Sequence, residues 1–196
     1  MANEKAVLIS IRQQWCSQIA SGQKTVEVRK TRPKLDAPFK VYIYCTRSKK
    51  QTRIDWLDEA LGGGMVIGEF VCDRVYQYAS DMFRSAPVEG TDISTEDMTK
   101  LSCLTAKELY DYEHSAEPKE NCICLVGVYG WHISDLVIYD KPKPLSVFYK
   151  ECAGLENTGM CYECENAVGE ECDCAVNGRL HFNRPPQSWC YVERMD

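Results

Sequence analysis

The sequence predicts an α+β fold built on a strongly curved, mostly antiparallel sheet with short helices at its flanks. Three observations carry that prediction. Segments with the two-residue alternation of strands outnumber helical ones and are seldom separated by a full crossover helix, which argues against a doubly wound parallel sheet. The helical segments are short, and glycine ends two of them, at Gly22 and at Gly62. An apolar share of 44% with 27% charged residues is that of an ordinary globular chain, so these strands have a core to bury. At 196 residues the chain suits one domain with an elaboration or small appendage.

Taken in order, residues 6–11 form a β-branched apolar run, the pattern of a buried strand. Residues 12–21 read as one helix of two to three turns, with Trp15, Ile19 and Cys16 turned inward, ended by Gly22. In Gly22-Gln23-Lys24-Thr25-Val26-Glu27-Val28-Arg29, the valines alternate with Thr25, Glu27 and Arg29. That period puts Val26 and Val28 on a core face and the three polar residues on the other, with Lys24 entering at the strand's edge. A Lys, a Glu and an Arg so close together make either a solvated edge with cross-paired charges or the floor of a binding site.

Residues 31–38 are a basic, proline-marked loop, and 39–45 alternate as a strand. A basic loop at 46–53 and a short helix near 55–61 lead to Gly62-Gly63-Gly64. This triple glycine lacks the Lys-Ser/Thr of a phosphate-binding loop and precedes a strand, so it reads as a turn. The strand is 65–72, in which Glu69 faces either solvent or a cleft. Residues 80–121 look like an excursion. Ser94–Leu101 has the marks of a short helix, and Thr105-Ala106-Lys107-Glu108 is a capping box that opens another. Strand character returns at 122–129, is interrupted or bent by Gly130-Trp131-His132-Ile133, and continues at 136–139. His132, alone among apolar neighbours, reads as a hydrogen-bonded structural residue. Lys141-Pro142-Lys143-Pro144 reads as a stiff connection, and residues 184–192 end in a strand that brings two aromatics to one face.

The net charge of −6 is unevenly spread: residues 1–53 hold 12 basic and 3 acidic side chains, the remainder 11 and 26. Such a chain does not coat nucleic acid indiscriminately, but its basic segment can hold an anion locally. No apolar run reaches membrane-spanning length, and the first residues lack a signal peptide, so a cytoplasmic protein without membrane association is expected. Of twelve cysteines, Cys152, Cys161, Cys164, Cys172 and Cys174 crowd together. In a cytosolic chain such a cluster reads as metal-binding before it reads as disulfides. Five thiolates stand where tetrahedral zinc takes four, and the expected set is Cys152, Cys161, Cys164 and one of Cys172 or Cys174. Few other apolar residues lie nearby, so a structural zinc would supply folding free energy of about 10 kcal/mol that the segment cannot bury. Free or adventitiously paired thiols and an iron–sulfur cluster are the alternatives.

Gly22-x-Lys24-x-x-Glu27-x-Arg29 after a strand and short helix resembles the signature of the ASCH domain family. Tyr42-Ile43-Tyr44-Cys45-Thr46, Ile67-Gly68-Glu69-Phe70, Trp131-His132-Ile133-Ser134-Asp135-Leu136 and Pro185-Pro186-Gln187-Ser188-Trp189-Cys190-Tyr191-Val192 support it. The likeness, to members found in bacteriophages and prophages, spans about residues 5–150 and 179–194. It implies a PUA-like β-barrel over residues 1–150, a cysteine-rich insertion at 151–178 and a last barrel strand in 179–196. It also implies a nucleotide- or RNA-binding cleft in which Lys24, Thr25, Glu27, Arg29, Arg12 and Tyr44 meet the ligand. Basic residues Arg32, Lys34, Arg47, Lys49 and Lys50 would widen its rim, and Trp15, Tyr42 and Tyr44 would stack on bases.

Two enzyme readings also follow from the resemblance. In N4-acetylcytidine amidohydrolases a Lys works with a Thr three residues on, and here that position is Glu27. In a ribonuclease-like reading Lys24 and Arg29 would stabilise a pentavalent phosphate and Glu27 would act as base. A module that binds a host protein is a third possibility.

Overall fold

The computed structural model describes residues 4–47, 63–80, 91–115, 127–151, 179–182 and 184–195. In chain order the elements are β1 (Lys5–Ile11), α1 (Gln13–Ala20), β2 (Val26–Arg29), β3 (Phe39–Cys45), β4 (Met65–Cys72), β5 (Val75–Tyr78), α2 (Thr95–Ser102), α3 (Ala106–Glu113), β6 (Val128–His132), β7 (Ser134–Pro144), β8 (Tyr149–Glu151), β9 (Arg179–His181) and β10 (Trp189–Glu193). Thus the fold is α+β, with short helices. None of the described helices is long and apolar enough to cross a membrane.

The strands form a five-stranded sheet ordered β10-β1-β3-β4-β7, a three-stranded sheet ordered β2-β6-β5, and the pair β8-β9. Among the described strands only β1 and β3 pair in parallel, because the chain crosses between them through α1 and β2. The expected single barrel is not what the described strands make: β10 and β7 remain the two edges of the larger sheet and do not pair to close it.

Strand β1 explains why its sequence is apolar at almost every position. It is flanked by β10 and β3 and buried on both faces, so alternation gives way to a continuous apolar run. Val7, Ile9 and Ile11 join Val41, Ile43, Phe70 and Trp131 in the main core, while Ala6 and Leu8 turn to a second cluster with Tyr42, Tyr44 and Phe148. A third cluster lies under α2 and α3. It buries Val26 and Val28 against Met98, Leu109 and Val128, so the valines face a core as their spacing predicts.

Two further sequence expectations need correction. Residues 141–144 are not a connection but the end of β7, whose edge position leaves room for prolines that cannot donate to a ladder. Gly130, Trp131 and His132 do not interrupt a strand; they are its core, and the break falls at Ile133, between β6 and β7. The four-residue β5 was not anticipated, being shorter than the window in which alternation is decisive. The helix expected near 55–61 and the start of the strand expected at 122 lie outside the described residues.

Candidate functional site

The chain from Arg12 through β2 supplies the cations of the site. Arg12 precedes α1 in an extended conformation, and its carbonyl accepts from the N–H groups of Trp15 and Cys16. At the far end Gly22 takes φ 74°, a left-handed conformation that suits a residue without a Cβ. The N–H groups of Gln23 and Lys24 then both donate to the Gln18 carbonyl, which folds the chain back along α1 and starts β2 beneath Trp15.

Beside this turn lies a cleft with a volume of ≈ 740 Å³. Its floor is Lys24, Glu27 and Arg29. Arg12, Gln14 and Trp15 form one side, Leu104, Glu108 and Tyr112 of the α3 region another, and residues 185–188 close it in front of β10. That front loop is pinned to β1, since Ser10 N–H donates to the Ser188 carbonyl (2.8 Å) and Ser10 Oγ to that of Pro186 (2.6 Å).

The three charges of the motif converge. Glu27 stands between the cations, with Oε2 3.4 Å from Lys24 Nζ and Oε1 3.0 Å from Arg29 Nη2. Lys24 is only 3% exposed and Glu27 4%, so this is a desolvated network rather than a solvated edge. Lys24 Nζ also donates to the Ser102 carbonyl (2.6 Å) and lies 5.1 Å from the centre of the Trp15 ring. Arg29 Nη2 donates to the Ser10 carbonyl (2.6 Å), and its Nε has no partner among the described residues. Arg12 is exposed, with no side-chain partner among the described residues.

Of the residues the sequence put forward, Arg12, Lys24, Glu27 and Arg29 meet at the cleft, and Trp15 joins them half-buried. Thr25 and Tyr44 do not line it. Thr25 supplies backbone bonds, its N–H to Leu101 and its carbonyl to Ile133. Tyr44 packs into the second cluster, on the opposite face of β3 from Ile43 and Cys45, because alternate residues of a strand point to opposite faces. Tyr42 shares that face, and its hydroxyl donates to the Met195 carbonyl. Arg32, Lys34 and Arg47 do not line the cleft either, and Lys49 and Lys50 lie outside the described residues.

Glu69 is remote from the cleft, accepting from Lys40 Nζ (2.6 Å) and the Tyr139 hydroxyl (2.5 Å). His132 is a structural hydrogen-bonding residue, its Nδ1 2.6 Å from Asp73 Oδ1. The bond with His132 holds the Asp73 carboxyl below its ordinary value, against the opposing effect of burial. The five clustered cysteines lie outside the described residues, and no group of three or more metal-ligating side chains occurs among the described ones.

Sequence reasoning missed Gln14, Glu108, Tyr112 and the neutral front loop as cleft residues. The capping box named Glu108 for another task, which it performs: Oε2 accepts from Thr105 N–H and Oγ1. What hid its second position was the packing of α3 beside α2, with Leu109 in the cluster that holds Val26 and Val28, a tertiary arrangement that local sequence does not encode.

Chemically, the cleft offers a guanidinium at its mouth, an indole wall, and neutral hydrogen-bonding groups from Gln14, Thr46, Gln187 and Ser188. The Glu27 carboxylate, three residues after Lys24, already binds two cations and is neither a hydroxyl nucleophile nor an unengaged base.

Residues 9–133, more than half of the chain, match the family model of the ASCH domain. Among solved structures, the crystal structure of ASCH from Zymomonas mobilis is similar with a TM-score of 0.52 at 17% identity, covering 96% of this chain and 88% of that one. A serine-to-alanine variant from the same organism is similar with a TM-score of 0.52 at 16% identity, covering 99% and 92%. At such identities the likeness is one of fold. No curated protein matches.

Proposed function

The chain belongs to the ASCH domain family, a PUA-like fold, and from that premise we propose that it is a nucleotide- or RNA-binding module whose ligand occupies the cleft floored by Lys24, Glu27 and Arg29. The observation that carries this reading is the convergence of those three charges in one hollow of ≈ 740 Å³, a size typical of small-ligand pockets. A single unstacked base fits such a space. Trp15 is placed to stack on it, worth about 1–3 kcal/mol, and Gln14, Thr46, Gln187 and Ser188 to meet its edges. A phosphate is best served by Arg12, the exposed cation at the mouth.

Neither hydrolysis nor host-protein binding draws support from a particular contact. The bound Glu27 lacks the chemistry of the amidohydrolase position, and among the described residues Val137 is the one large apolar side chain left exposed. The test is thermal stabilisation by uridine and cytidine nucleotides and by short oligoribonucleotides, with binding that weakens as salt rises. Absence of binding by all of these at concentrations up to about 1 mM overturns the reading.

We also infer that the stretch 152–178 is an elaboration stapled by zinc through Cys152, Cys161, Cys164 and one of Cys172 or Cys174. In its support, β8 and β9 pair antiparallel with Glu151 opposite Arg179, so the chain leaves and returns at one point. Elemental analysis of protein purified without added metal tests it, and less than about a tenth of an equivalent of zinc refutes it.

A further inference from the structure

The segment after α1 is tied to the end of α2 at three successive residues. Thr25 N–H donates to the Leu101 carbonyl (2.9 Å), Lys24 Nζ donates to the Ser102 carbonyl (2.6 Å), and Cys103 Sγ donates to the Gln23 carbonyl (3.3 Å). The carbonyls in the last turn of a helix lack helical partners, and an ammonium there complements the negative end of the helix. Cys103 follows in a left-handed conformation, φ 56°, which stops α2 and turns the chain into α3. The next cleft residues are Leu104, Glu108 and Tyr112, so the position of that wall is set by how the turn is held.

The surroundings of the ammonium leave little for anything else. One direction is taken by the Ser102 carbonyl, another by Glu27 and a third by the Trp15 ring, and the residue is 3% exposed. We propose that Lys24 is a positioning residue: it holds the α2–α3 turn, and with it the α3 wall of the cleft, against β2, and it does not take the phosphate of a ligand. The consequence for the ligand rests on the cleft being the binding site; the holding of the wall does not.

The experiment uses the full chain with Lys24→Met, Lys24→Arg and Arg12→Gln, read by amide hydrogen exchange and by the salt dependence of oligouridine binding. Lys24→Met is expected to speed exchange across α3 by about tenfold or more relative to β1 and β3. It is expected to weaken oligouridine binding without changing the slope of log K against log salt. Arg12→Gln is expected to lower that slope by about 0.7, the contribution of one phosphate on a single strand, with α3 exchange unchanged.

Lys24→Arg keeps the charge but not the compact point donor, so it too is expected to loosen α3. It also decides the matter if Lys24→Met does not fold. A reduced slope in Lys24→Met with α3 exchange as in the parent, or Lys24→Arg with parental exchange, overturns the proposal. If oligouridine does not bind, the binding role fails while α3 exchange still decides the holding role.

Discussion

Replacing Glu27 by glutamine should be among the most damaging single changes available to this chain. Its carboxylate is 3.4 Å from Lys24 Nζ and 3.0 Å from Arg29 Nη2, and it is 4% exposed. At an effective dielectric constant of about 20, each pair contributes a gross attraction of about 5 kcal/mol. Desolvation of three charged groups consumes most of that, so the network adds little net stability as it stands. Removing the anion is another matter, because the desolvation of both cations remains while their compensation is gone. For a buried pair broken in this way the loss is about 3–5 kcal/mol. In a chain of 196 residues that corresponds to a fall in Tm of roughly 6–20 °C.

Thermal denaturation of wild type and Glu27→Gln at neutral pH reads the effect directly. Asp111→Asn is the internal control: its pair with Lys107 spans 2.6 Å but both side chains are more than half exposed, so Tm should hardly move. Combining Glu27→Gln with Lys24→Met should cost less than the two single losses together, since one buried cation goes with the anion. A Glu27→Gln protein within about 3 °C of wild type would mean that the three groups are solvated, and the reasoning about a charged hollow would fail with it.

Gly68→Ala should destabilise by about 1–3 kcal/mol, since the added Cβ collides with the Val137 carbonyl oxygen across the β4–β7 pair; unchanged denaturant midpoints would refute the close approach. Stability should fall in acid partly through Glu69. Burial raises its carboxyl, but hydrogen bonds from Lys40 and Tyr139 outweigh that and leave it below its ordinary value. Its contribution is therefore present above the unfolded value of about 4.3 and is lost as pH drops through the lower folded one. Glu69→Gln should flatten the acid limb of Tm against pH, and an unaltered limb would refute the assignment. Tyr44→Phe should leave oligouridine affinity unchanged, because the ring lies in the second cluster; a fall of about fivefold or more would put it back at the ligand.

How much of this was legible in the sequence depended on the range of the interactions involved. Strand β3 announces itself by alternation and β1 and β4 by apolar, β-branched runs, all of them local signals, and Gly22 announces the turn because its left-handed φ is a property of one residue. The clustering of Lys24, Glu27 and Arg29 was readable in part, since Glu27 and Arg29 share a face two residues apart. That Lys24 joins them depends on its own N–H and that of Gln23 both reaching back to the Gln18 carbonyl, which no periodicity conveys. Tyr44 went astray in the other direction. Its ring is held in a cluster with Phe148 and Val192, contacts distant in sequence, and the parity of a strand does not say which tertiary cluster takes an aromatic.

The cations at the cleft therefore divide by solvent contact rather than by residue type. A cation that is to greet a phosphate needs donors facing water until the ligand arrives, and a cation that is to hold two elements together needs those donors satisfied. Arg12 meets the first condition, exposed and without a side-chain partner among the described residues. Lys24 meets the second, with a carbonyl, a carboxylate and an indole around it. Arg29 stands between, bonded through Nη2 to Glu27 and Ser10 while Nε keeps a donor in hand. An assignment from charge alone would give all three the same task, whereas the burial of Lys24 makes a direct phosphate contact costlier than the one Arg12 offers.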